Sequence, residues 1–202
     1  MDRWRLRMFG AALLLCMGGA GWVAWWTLRP PQGSTALPIL GEVGTFSLVS
    51  HQRVRFGSVD LAGSPWVANV IYTRCAGPCP MMTGRMAALE RDLPAAFKFV
   101  TVTADPRHDV PSVLRRYIAA HGLRTARWTF LTGSAAAVRS LLRDRFRLPA
   151  GDPRADHGRI VVPHTEKIVL VDGGGHILGY YESGDPGELA RLRADARRVT
   201  GF

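Results

Sequence analysis

Apolar and polar positions along this chain switch between two periods, and the switches mark its elements. Met8 to Leu28 has no charge at all and is long enough, at about 20 residues and 1.5 Å rise each, to cross the ~30 Å apolar thickness of a bilayer. Arg29 to Gly44 then breaks all periodicity with Pro30, Pro31, Gly33, Ser34, Pro38, Gly41 and Gly44, and reads as a spacer. Beyond it, Phe46 to Val49 and Val54 to Phe56 predict a short hairpin. Trp66 to Thr73 is a β-rich run suited to a buried central strand. Met82, Met86, Leu89 and Leu93 recur at helical spacing and predict a helix over Met81 to Leu93. Phe97 to Thr103 alternates as a strand, Pro111 to His121 reads as a helix closed by Gly122, and Trp128 to Leu131 is again strand-like. Ser134 is placed to cap a helix that runs to about Phe146. Ile160 to Val162 and Ile168 to Val171 are apolar runs. The triple glycine at 173–175 turns the chain into a hairpin strand, His176 to Tyr181, and Asp185-Pro186 opens a last helix with Leu189, Leu192 and Ala196 on one face. The order predicts an α/β layered domain with a mixed central sheet flanked by helices.

The resulting divisions are a short N-terminus over 1–7, an anchor over 8–28, a linker over 29–44 and one folded domain over 45–202. Arg3, Arg5 and Arg7 before the apolar segment against Arg29 after it place the N-terminus in the cytoplasm and the domain outside. That arrangement corresponds to a single pass through a bacterial-type inner membrane with the domain on the periplasmic side. Trp22, Trp25 and Trp26 crowd the exit end, where amphipathic rings prefer the headgroup level. A cleaved signal peptide is the competing reading, with Gly18-Gly19-Ala20 as its site, but its apolar core should be shorter. Cys16 follows Leu15, where a lipidation signal needs a small residue, so it reads as a buried apolar side chain.

Composition changes this picture only at one point. The apolar share of 47% and the charged share of 21% belong to a folded protein. The net charge of +10 raises nucleic acid as a partner. The arginines, however, are spread over every segment, without a basic run interleaved with aromatics, so no nucleic-acid partner is expected. An acidic protein or the membrane surface accounts for the charge.

The candidate chemistry lies in Cys75 and Cys79, which come after the predicted central strand and open the next helix. A helix N-terminus favours thiolate over thiol, and strand ends of this kind carry the sites of open α/β sheets. A structural disulfide across so short a loop would stabilise little. The pair is therefore read as reactive, either redox-active or metal-binding. A two-residue spacer is the usual redox spacing, whereas Ala76, Gly77 and Pro78 make a three-residue one here. Two thiolates suit Cu(I), while zinc would call for four ligands and the domain has no third cysteine. Of the six histidines, His121 ends a helix where a cation suits the dipole, and His157 and His176 lie in a polar stretch and a hairpin strand. His164, in a loop after Ile160 to Pro163 and before the strand from Lys167, is the one whose loop the sheet can bring beside the cysteine turn.

Three blocks then carry a resemblance: Thr73-x-Cys75-x-x-x-Cys79-Pro80, Ala104-Asp105-Pro106-Arg107-His108-Asp109-Val110-Pro111, and Pro163-His164-Thr165 followed by Val171-Asp172-Gly173 and Gly179. In this order and spacing, from about Phe46 to Val199, the chain resembles the Sco/SenC family of copper-binding cytochrome oxidase assembly factors. The resemblance implies a thioredoxin-like fold with an added hairpin, copper held by Cys75, Cys79 and His164, and Asp105 as an acidic residue supporting the site. It further implies delivery of Cu(I) or Cu(II) to the dinuclear copper site of cytochrome c oxidase subunit II, with another copper chaperone as donor. Ala76 stands where a proline is common, and Pro163 where an acidic residue often precedes the histidine. Two other activities fit the same residues. In a thiol–disulfide reductase Cys75 attacks first and His164 is dispensable. A peroxide-reducing enzyme of the same fold would use the early thiolate near Asp105.

Overall fold

The computed structural model describes residues 36–156, 159–163 and 165–200. From Ala36 onwards the chain forms one compact unit. Its strands are β1 (Gly41–Glu42), β2 (Ser47–Ser50), β3 (Arg55–Gly57), β4 (Trp66–Ile71), β5 (Lys98–Thr103), β6 (Trp128–Thr132), β7 (Arg154–Asp156), β8 (Arg159–Val161), β9 (Lys167–Val171) and β10 (His176–Glu182). Its helices are α1 (Ser58–Leu61), α2 (Pro78–Asp92), α3 (Pro111–Ala120), α4 (Ala135–Ser140, continued by a wider π turn, Leu141–Arg145) and α5 (Pro186–Thr200).

Eight strands form one mixed sheet in the order β1-β10-β9-β4-β5-β6-β2-β3, and β7 and β8 form a separate antiparallel hairpin. The three central strands β4, β5 and β6 are parallel, joined by α2 and α3. This explains why the sequence of β4 is apolar at nearly every position: all six residues are buried, because both faces are covered. On one face Tyr117 of α3 packs on Phe130 and shares a hydrogen bond with Thr83 of α2, and Arg193 of α5 reaches Asp92 of α2. On the other face Trp66 packs on Phe146, just past the π turn. The helical spacing of Met82, Met86 and Leu89 becomes a fully buried stripe.

Most predicted elements stand within a residue or two of their expected bounds, and the exceptions have physical causes. The helix α2 begins at Pro78 rather than Met81, since proline is suited to a first turn, and so it takes Cys79 into that turn. The helix expected to reach Phe146 is α-helical only to Ser140; the Phe146 amide then bonds back to the Leu141 carbonyl at 2.9 Å, and Arg147 ends it in the left-handed region at φ 52°. Ser134 caps it as expected, accepting from the Ala137 amide at 3.1 Å. The spacer expected to extend to Gly44 instead gives Gly41 and Glu42 to the sheet, paired with Ile177 and His176. The expected N-terminal segment at 1–7, the anchor at 8–28 and the first part of the linker lie outside the described residues. Among the described residues no helix is long and apolar enough to cross a membrane.

Two features of the sheet position the site. The parallel strands β4 and β5 end together, at Ile71 and Thr103. The strand β9 runs antiparallel to β4, with Val171 opposite Trp66 and Val169 opposite Ala68. The chain that leads into β9 therefore arrives at the same edge where β4 delivers the cysteine turn.

Candidate metal centre

The turn from Tyr72 to Gly77 is short and heavily tied. The Cys75 amide bonds to the Tyr72 carbonyl at 3.1 Å, and the Ala104 amide bonds to the Ile71 carbonyl at 2.7 Å, which locks the ends of β4 and β5 together. Asp109, fully buried, is the hub of this turn. One of its oxygens accepts the Thr73 amide at 3.0 Å and the Thr103 hydroxyl at 2.5 Å, and the other accepts the Thr73 hydroxyl at 2.5 Å and lies 2.9 Å from His108 Nδ1. A carboxylate with four such partners is held firmly, and it fixes the residue two positions before Cys75. Asp105 is also buried, and its carboxylate pairs with the Arg74 guanidinium at 2.5 Å. Asp105, the acid expected near the site, thus holds Arg74, the neighbour of Cys75.

Cys75 and Cys79 are both buried, reduced thiols. They are hydrogen-bonded to each other, yet they differ in character. Burial alone pushes the Cys75 thiol up, but hydrogen bonds from the Cys79 thiol, the Cys79 and Gly77 amides and the Tyr72 hydroxyl outweigh it, so its pKa lies below the ordinary thiol value. Burial dominates at Cys79 and raises its pKa, with the Cys75 and Glu166 charges adding to the rise. Tyr72 is pushed up to about 12, first by burial and then by its hydrogen bond to Cys75, while the Val162 backbone beside its hydroxyl pulls the other way. One residue at the end of β4 thus touches both the first cysteine and the segment that leads into β9.

That segment carries the third expected ligand. His164 itself lies outside the described residues, as does His157. Its neighbours are described: Val162 and Thr165 are buried, and Pro163 is half-buried. Among the described residues no group of three His, Cys, Asp or Glu side chains stands close enough to hold a metal. The other histidines have structural places. His121 Nδ1 lies 2.9 Å from the Tyr117 carbonyl, in keeping with its position at a helix end. His51 is buried against Phe130, where burial lowers its pKa. His176 is paired with Asp172 at 2.9 Å in the β9–β10 turn, and that partner raises its pKa.

The cysteine turn, the acidic block around Asp105 and Asp109 and the returning segment before β9 are the three sequence blocks of the resemblance, here at one sheet edge. A family model described as SCO1/SenC matches residues 40–199. The chain belongs to the SCO1/SenC family. Within it, the SCO1 protein homolog of Bacillus subtilis (strain 168) is 28% identical over 148 residues, 71% of this chain and 75% of its own. BsSco, a member of the Sco family of cytochrome c oxidase assembly proteins in which a disulfide switch has been identified, matches with a TM-score of 0.70 at 25% identity, over 82% of this chain and 98% of that one. The copper-bound structure of Bradyrhizobium japonicum ScoI matches with a TM-score of 0.65 at 21% identity, over 77% of this chain and 98% of that one, a likeness of fold. The mixed α/β sheet is thus the thioredoxin-like fold of SCO1/SenC proteins. Two participants went unassigned in the sequence. Asp109 was legible only as part of a motif, since nothing in its spacing says that four donors converge on it. In the sequence Tyr72 is one more β-former, because its hydroxyl acquires a partner only when the turn folds back.

Proposed function

We propose that this chain is a membrane-anchored copper metallochaperone whose Cys75, Cys79 and His164 bind one copper ion. The observation that carries the reading is the pair of hydrogen-bonded thiols at the β4–α2 bend, one held ready to ionise. Two soft donors so placed suit Cu(I), and an imidazole as third donor stabilises Cu(II) as well. The antiparallel run of β9 beside β4, and the contact of Val162 with Tyr72, support His164 as that third donor. The copper held by Bradyrhizobium japonicum ScoI supports copper as the metal. Asp105 supports the site through Arg74, by holding the residue next to Cys75 in the turn.

The apolar segment 8–28 anchors the chain in the inner membrane with the domain on the periplasmic side. The acceptor is an exported copper protein, the dinuclear copper site of cytochrome c oxidase subunit II, consistent with the role named for the Sco family, and a second copper chaperone is the donor. Transfer proceeds by ligand exchange, in which an acceptor thiolate replaces one protein thiolate at a time. Competition titration of the reduced full-length chain with a Cu(I)-selective chelator tests the reading. One tightly held ion in the wild type, lost in Cys75→Ser and weakened in His164→Ala, is the expected result. Unchanged binding in Cys75→Ser would contradict it.

The unequal thiols favour a second activity at the same site. The Cys75 thiolate attacks one sulfur of a partner disulfide, forming a mixed disulfide and releasing the partner's other sulfur as thiolate. Cys79, after losing its proton, then displaces the partner's remaining sulfur. Two electrons pass to the partner, and a Cys75–Cys79 disulfide remains. This reaction does not use His164, so reductase activity retained in His164→Ala separates it from copper transfer.

A further inference from the structure

The residue before His164 is a proline in this chain, and the structure gives that proline a fitted seat. Gly151 lies directly under Pro163: a Cβ at Gly151 would stand 2.9, 3.2 and 3.3 Å from Cγ, Cβ and Cδ of the ring. Contacts below 3.0 Å force something to move, and a proline ring has little freedom to do so. Asp152, next in the loop that carries Gly151, pairs with Arg139 of α4 at 2.7 Å on the surface. On the other side of Pro163, Val162 is fully buried and its backbone meets the Tyr72 hydroxyl. The segment is therefore held at consecutive residues, from the cysteine turn at Val162 and from the Gly151 loop at Pro163.

We infer that Gly151 is a positioning residue for the metal centre: by admitting the Pro163 ring it sets where the next residue, His164, is presented to the two cysteines. The inference rests on the copper-binding role of His164 and adds to it the means by which the histidine is aimed. The gap at Gly151 does for the backbone what a side-chain partner of the imidazole does in other metal sites, where removing such support weakens metal binding about 10- to 100-fold. Any side chain at position 151 displaces the proline. The cysteines lie on a separate bend, between β4 and α2, and their sulfurs stay available to the metal.

The test uses the full-length chain in detergent, loaded with one equivalent of Cu(II), and reads the nitrogen hyperfine coupling by electron paramagnetic resonance together with the sulfur-to-copper absorption. Gly151→Ala is expected to lose the nitrogen coupling and to bind Cu(II) about tenfold more weakly, while keeping the sulfur bands. Gly151→Val should go further. Gly84→Ala, where a Cβ meets nothing within 4 Å, should match the wild type. Intact nitrogen coupling in both Gly151 variants would overturn the inference, and so would a loss of urea stability in them without any change in the copper spectrum. Failure of the copper reading itself looks different: wild type and His164→Ala would then give the same spectrum.

Discussion

Cys75 and Cys79 share a turn but not an environment, and this difference should be directly measurable. Alkylation coupled to mass spectrometry as a function of pH is expected to modify Cys75 first, with a midpoint below that of an ordinary thiol. Equal rates at both sites would contradict the asymmetry. Because Cys75 ionises more readily folded than unfolded, its thiolate favours the fold above the ordinary thiol range, and that contribution is lost as pH falls through its lowered value. Cys79 works in the opposite sense, so stability falls as pH rises above the ordinary thiol range. Tyr72→Phe removes a donor to the Cys75 sulfur and should move the alkylation midpoint upward. Asp109→Ala leaves Thr73 and Thr103 without their buried acceptor. Urea unfolding should show a loss of about 3 kcal/mol, and copper affinity should fall about tenfold or more. Retained affinity in that variant would show that the turn keeps its shape without its anchor.

Elements differ in how much of them the sequence reveals. Buried strands and amphipathic helices announce themselves by period, which is why β4, β5, β6 and α2 stand close to where the pattern puts them. Contacts made across the fold leave no such signal. Gly41 and Glu42 form β1 only because β10 offers an open edge, and β7 and β8 are three residues each. The π turn after α4 replaces a helix that propensity alone would continue. The end of α2 depends on Arg127, which begins the approach to β6. Its guanidinium bonds the Glu90 carboxylate and the carbonyls of Glu90, Leu93, Pro94 and Phe97, and lies over the Phe99 ring at 5.1 Å. Arg127→Ala should cost about 3 kcal/mol in urea unfolding, with copper binding intact at low temperature because the site lies at the other end of α2. Loss of copper binding from a folded variant would mean that the two ends of α2 are coupled. The site was legible as its cysteines, its third ligand candidate and one acid. Its hub, Asp109, and its tyrosine were not, since their roles exist only between segments.

At the scale of the molecule, one sheet edge collects chain from three distant stretches, and the remainder of the fold holds that edge still. The charge of +10 is spread over the chain without a basic run. Fractionation of the expressed full-length chain should recover it with the inner membrane, with its domain open to protease from the periplasmic side; recovery in the soluble fraction as an intact chain would remove the proposed anchor. X-ray absorption at the copper edge of the Cu(I)-loaded, reduced chain tests the central proposal most directly. Two sulfur scatterers and one nitrogen are predicted, with the nitrogen absent in His164→Ala. A copper shell with only one sulfur, or one whose nitrogen persists in that variant, would contradict it.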